Sequence, residues 1–202
     1  MLSEVLSAVV LDTVSSDDRQ LLDAKLNPNY RYLHVTLGKA KPALLVLGYF
    51  DVHPQGDIEV WYSAQGEVLR LQNGRLVGAA GLPVEWRRVA YPQSPPSWQS
   101  VPPEGARFTS VRDEQPGYRL GLVEQVVLTP LLKPPFESPD QTLASATWFQ
   151  ERYSDANGRT RPDAWFALGQ YGDQKTIVYS RQCLSASVCL TLQRWPLQKD
   201  PL

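Results

Sequence analysis

The chain has 202 residues, 43% hydrophobic and 20% charged, with twenty Lys and Arg against twenty-one Asp and Glu. That balance, a formal charge of -1, leaves no electrostatic footprint for nucleic acid or an anionic lipid surface. No apolar run reaches the roughly 18 residues that a membrane-spanning helix needs, and the composition excludes disorder, coiled coil and collagen.

The opening stretch, MLSEVLSAVVLDTV, carries Glu4 and lacks a basic start, so it does not read as an intact signal peptide; residues 3–11 read as a short turn of helix. Ser15-Ser16-Asp17-Asp18 is a capping signature before RQLLDAKL, with Pro28 just beyond, and predicts a second short helix carrying Leu21, Leu22 and Leu26. From Tyr30 the period changes. Leu33, Val35 and Leu37 alternate with Tyr32, His34 and Thr36, as in a half-buried strand, and residues 43–50 (ALLVLGYF) read as a strand buried on both faces.

Two tight reversals follow, at Ala64-Gln65-Gly66 and at Asn73-Gly74, joining strands over 58–63, 67–71 and 75–80. Asn-Gly between alternating strands is a strong hairpin signal, because a type I′ turn needs positive φ at both central residues. Residues 118–128, 146–153, 164–171, 176–182 and 188–195 read as further strands, with Asn157-Gly158 and Gly172-Asp173 in turns.

Seventeen prolines punctuate the chain, five of them in residues 91–106 and four in 130–139. Neither stretch reads as regular structure over its length. The first is taken as a connector within one domain spanning 1–202, rather than as a boundary between two thin-cored halves. The expected fold is all-β: a single antiparallel barrel or strongly curved sheet of about nine to eleven strands, with one or two short N-terminal helices.

Cys183 and Cys189 lie in RQCLSASVCL. On one continuous strand their Cα atoms would be about 20 Å apart, too far to bridge. The sequence is symmetric about Ala186, however. If Ser185-Ala186-Ser187 is a hairpin loop, Leu184 faces Val188 and the two cysteines face one another at about 4.5 Å. A structural disulfide in an oxidising compartment is the preferred reading; two buried thiols are the alternative. Two cysteines with two distant histidines make a poor zinc set, so no metal or other cofactor is expected.

Catalytic signatures are missing: the chain contains no nucleophile elbow, P-loop, dinucleotide fingerprint or zinc-protease motif. A hydrolase built from His34 or His53 with Asp51 and a serine, or a carboxylate pair of the glycosidase type, is the residual catalytic reading. The chain is expected not to be an enzyme. Trp61, Tyr62, Trp86, Trp98, Trp148, Trp165 and Trp195 are candidate platforms for sugar rings, most of them expected to be core. Trp61 and Tyr62 point to opposite faces of a strand, so at least one of them packs.

Residues 40–86 have a recognisable order: Val46-Leu47-Gly48, a strand with Trp61, then Asn73-Gly74-Arg75-Leu76-Val77 and Gly81-Leu82-Pro83. This order resembles the YjbF/GfcB family of group 4 capsule and exopolysaccharide lipoproteins. The strand from Asn29 to Leu37 fits the family's opening strand, and Tyr179-Ser180-Arg181-Gln182 resembles its final Ser-Arg-Gln strand. Ala79-Ala80 stands where the family usually has Thr, and its lipidated Cys has no counterpart here.

The resemblance implies the soluble part of a periplasm-facing outer-membrane lipoprotein, anchored in the inner leaflet by a lipid outside this chain. Its implied role is accessory, in assembly or export of capsule or exopolysaccharide. The implied partners are the polysaccharide itself or other export proteins. The competing readings are a periplasmic lipid or lipoprotein carrier with an apolar concave sheet, and a polysaccharide-modifying enzyme. The family offers no catalytic set to carry over. Arg75, Trp61 and Tyr62 are the ligand-binding candidates, while Asn73, Gly74, Gly81 and Leu82 have structural explanations in turns and strand exits.

Overall fold

The computed structural model describes residues 26–40, 42–136 and 143–196. The helices expected at 3–11 and following Ser15–Asp18 lie outside the described residues. Among the described residues twelve strands form the fold: β1 (Tyr32–Leu37), β2 (Ala43–Asp51), β3 (Ile58–Tyr62), β4 (Val68–Gln72), β5 (Arg75–Ala80), β6 (Glu85–Ala90), β7 (Ala106–Gln115), β8 (Arg119–Leu131), β9 (Thr147–Asp155), β10 (Ala164–Tyr171), β11 (Gln174–Cys183) and β12 (Cys189–Trp195). Each pairs antiparallel with the next in sequence, and β1 pairs with β12 from Tyr32↔Trp195 to Leu37↔Leu190. The ring is therefore closed, and strands on both sides of the Pro-rich connector belong to one sheet.

The expectation of nine to eleven strands is short of this count, because β6 and β7 carry weak sequence signals. In β6 (EWRRVA) the apolar and polar residues do not alternate. In β7 (ARFTSVRDEQ) the inward positions hold Ser110, Arg112 and Glu114 after Phe108, so the alternation is not one of apolar against polar. The second Pro-rich stretch also starts later than expected: Pro130 is still within β8, opposite Phe149.

In such a meander successive turns fall at alternate ends of the ring. One end, the mouth, collects the Asn73-Gly74 and Gly172-Asp173 turns and the 91–105 connector, together with the start of β1 and the end of β12. The other end holds the β7–β8 hairpin and the disulfide. There, Leu184 N–H donates to Val188 O over 2.7 Å, and Cys183 and Cys189 face one another with Cα atoms 3.9 Å apart, joined as a disulfide.

Two apolar clusters fill much of the interior. One gathers Leu33, Leu45, Trp61, Leu69, Trp86 and Leu192, and the other Trp98, Phe108, Phe149, Phe166 and Leu168. On the outer face, residues near Leu143 and Phe136 cover Trp148, Ala167 and Tyr179.

The Asn73-Gly74 turn has positive φ at both residues, 50° and 80°, as a type I′ turn requires. A Cβ on Gly74 would lie 2.5 Å from the Ile177 Cβ, so the turn is pressed against β11. Gly74→Ala is expected to lower the unfolding free energy by at least about 2 kcal/mol, combining left-handed strain with overpacking. Gly38 also has positive φ but meets nothing within 4 Å, so Gly38→Ala is expected to lose only about 1 kcal/mol. Urea unfolding of both variants checks the difference.

Candidate functional site

The interior between the apolar clusters is charged. Arg75 at the start of β5 reaches across the ring to Glu151 of β9, with Nε 2.8 Å from Oε1, and both side chains are at most 5% exposed. Tyr153 O–H donates to the other Glu151 oxygen over 2.7 Å. Towards the disulfide end, Arg112 bridges Glu114 at 2.8 Å and Glu124 at 2.6 Å, and Arg119 also pairs with Glu114. Arg161, between β9 and β10, meets Glu124 at 3.2 Å and lies over the Tyr153 ring.

Each buried carboxylate here faces at least one guanidinium, which is the condition for keeping charge out of water. A cavity among these groups, lined by Arg75, Arg112, Glu124, Glu151, Tyr153 and Arg161 among others, measures about 20 Å³. That is room for about one water molecule.

Burial, followed by the nearby Glu151 charge, raises the Tyr153 phenol well above its ordinary value of 10.0. Burial likewise raises Tyr91, which lines the same cavity. Both phenols stay neutral in the fold while the unfolded chain ionises near pH 10. Their contribution is therefore intact below pH 10 and is lost as pH rises above it. The expected loss is up to about 1.4 kcal/mol per phenol per pH unit. Urea midpoints between pH 9 and 11 should fall for the wild type and fall less steeply for Tyr153→Phe.

Two of the segments on which the resemblance rests, 73–77 and 179–182, meet in this interior. The Gln182 side chain donates to Gly74 O over 2.9 Å and accepts from Leu76 N–H over 2.9 Å. Trp98, on a short 3-10 turn (Trp98–Ser100) of the connector, enters the mouth and donates its indole N–H to Asn73 O over 2.7 Å. The Arg75 guanidinium stacks on the Trp98 ring, 3.8 Å from its centroid, and its Nη2 makes no hydrogen bond there. The Asn-Gly-Arg segment is thus a joint tying hairpin, connector and β11 together.

Two of the three ligand-binding candidates are therefore inside the ring. Arg75 is 4% exposed and held by Glu151, and Trp61 is fully buried, its N–H on Glu59. Neither can meet a polymer at the surface. Tyr62 is 36% exposed and lies beside Tyr49, with ring centroids 6.5 Å apart. Its ring covers Gly48, whose absent Cβ leaves the space.

The other aromatic candidates divide similarly. Trp86, Trp98, Trp148 and Trp195 are buried, and Trp165 is half-buried under Phe136. Gly81 and Leu82 sit in the β5–β6 turn, with Gly81 N–H on Glu85 and Leu82 packed on the first core cluster. Of the residual catalytic set, Asp51 pairs with Arg70, and His53 Nδ1 faces the Gln55 N–H and the Gln72 amide.

An open concavity lies at the rim of the mouth, where the 26–31 segment approaches the β10–β11 turn. It is a cleft of about 580 Å³. Its floor holds Arg194 and Glu59, paired at 2.7 Å, with Arg194 Nε donating to Ile177 O. Tyr30, Tyr32, Tyr171 and Trp195 supply aromatic surface, and Asn27, Asp173, Gln174 and Thr176 supply polar groups. Arg31 lies over the Phe50 ring at 5.8 Å and makes no ion pair among the described residues. Sequence reading missed this cleft because its walls come from both ends of the chain. The only local signal is Tyr30-Arg31-Tyr32, which reads as an ordinary strand start.

The fold is similar to the crystal structure of the hypothetical lipoprotein YmcC from Escherichia coli. The TM-score is 0.67 at 17% sequence identity, over 95% of this chain and 100% of that one. At that identity the likeness establishes the fold alone. No protein-family profile matches the chain, and no curated protein sequence matches it.

Proposed function

We propose that this chain is the soluble, periplasm-facing part of an outer-membrane lipoprotein that assists assembly or export of a capsule or exopolysaccharide. It acts by binding, without chemistry on the polymer. The observation that carries the reading is the internal joint. The Asn73–Leu76 and Ser180–Gln182 segments, which resemble the YjbF/GfcB lipoproteins, are hydrogen-bonded to each other across more than a hundred residues of chain. A fold shared with a protein named as a lipoprotein supports the same assignment, and the Cys183–Cys189 disulfide suits an oxidising compartment.

The interior argues against the carrier reading. A space of about 20 Å³ between charged side chains holds no acyl chain. The enzyme reading gains nothing from the buried carboxylates, since Glu114, Glu124 and Glu151 are each engaged by a guanidinium. The partners of this role are the polysaccharide or other export proteins, and no cofactor enters it.

Incubating the purified protein with surface polysaccharide from its own cell tests the proposal. Retention of polymer by immobilised protein, with chain length and linkages unchanged, is the expected result. Shortened or remodelled polymer would replace the accessory role with an enzymatic one.

A further inference from the structure

We propose that the rim cleft binds a short acidic oligosaccharide, with Arg31 receiving a sugar carboxylate and Tyr171 stacking on a pyranose face. This rests on the polysaccharide role above and names the site and the sugar chemistry that serve it. A volume of about 580 Å³ falls within the range of small-molecule sites. Its walls combine flat aromatic rings with amide, hydroxyl and carboxylate groups, the mixture that sugar rings with apolar faces and polar edges require.

The charges decide the ligand. Arg194 is neutralised by Glu59 and further fixed by Ile177 O, so it offers little to a guest. Arg31 is exposed, has no carboxylate partner among the described residues, and lies over the Phe50 ring face at 5.8 Å. A guanidinium in that state is a ready partner for a planar carboxylate through two parallel hydrogen bonds.

Asp173, on the β10–β11 turn, would repel a carboxylate placed on its side of the cleft but accept from sugar hydroxyls. The acidic unit is thereby directed towards Arg31.

Calorimetric titration of the full chain with tetragalacturonate and with maltotetraose tests this. Tetragalacturonate should bind saturably and more tightly than maltotetraose. Arg31→Ala should weaken it at least tenfold while leaving maltotetraose unchanged, as expected for one charge-assisted contact. Tyr171→Ala should weaken both. Arg31 is exposed, so its variant should keep the wild-type melting temperature, which separates lost binding from lost fold. No saturable binding of tetragalacturonate, or binding unaltered in both variants, would overturn the proposal.

Complementation of a gene deletion separates this site from the role it rests on. If the Arg31→Ala/Tyr171→Ala double variant restores surface polysaccharide as fully as the wild type, the cleft is wrong and the accessory role stands. If deletion leaves the polysaccharide unchanged, the role fails.

Discussion

Arg75→Ala should lower the unfolding free energy by about 3–5 kcal/mol, the cost of leaving a buried carboxylate without its cation. Glu151 is 2% exposed, and the Tyr153 hydroxyl alone cannot neutralise it. For a chain of this size the melting temperature should fall by about 6–20 °C. Adding Glu151→Gln to Arg75→Ala removes the stranded charge and should restore more than half of the loss. A double-mutant cycle measured by urea unfolding checks both numbers. An Arg75→Ala loss under about 1 kcal/mol would mean that the pair is solvated, as surface ion pairs are.

Trp98→Ala should be comparably damaging, at about 3–5 kcal/mol. The side chain packs on Phe149 and Phe166, with centroids 5.2 and 4.7 Å away, and carries the Arg75 guanidinium on its face. Its removal also unpins the 91–105 connector from the Asn73 carbonyl. Faster proteolysis within that connector should therefore accompany the loss of stability. Trp98→Phe keeps most of the packing and loses the N–H bond, so about 1 kcal/mol is expected. Equal losses in the two variants would place the stabilisation in the hydrogen bond rather than in packing.

The strands easiest to read in the sequence are those that alternate cleanly or end in a turn with one physical solution. Leu33, Val35 and Leu37 mark β1, and Asn73-Gly74 marks the β4–β5 hairpin. The near-palindrome around Ala186 brings Cys183 opposite Cys189 by the same logic of register. What escapes is the charged interior. Arg112 and Glu114 occupy inward positions in phase with Phe108, and an alternation rule built on hydrophobicity reads them as a solvated face.

Arg75 misleads for the same reason. Beside a turn glycine it looks like a surface cation, and only closure of the ring brings Glu151, 76 residues away, within 2.8 Å. The rim cleft is hidden more completely, because Arg31, Glu59, Tyr171 and Arg194 come together only when β12 pairs with β1. Local sequence carries strand identity well; long-range pairing of charges is a property of topology.

The measurement that bears most directly on the accessory role is made in the cell that produces the protein. The gene is deleted and complemented, and polysaccharide is quantified at the surface and in the periplasm. An export role predicts loss at the surface with retention inside, reversed by the wild-type gene. Unchanged amount, location and composition in the deletion strain would contradict it.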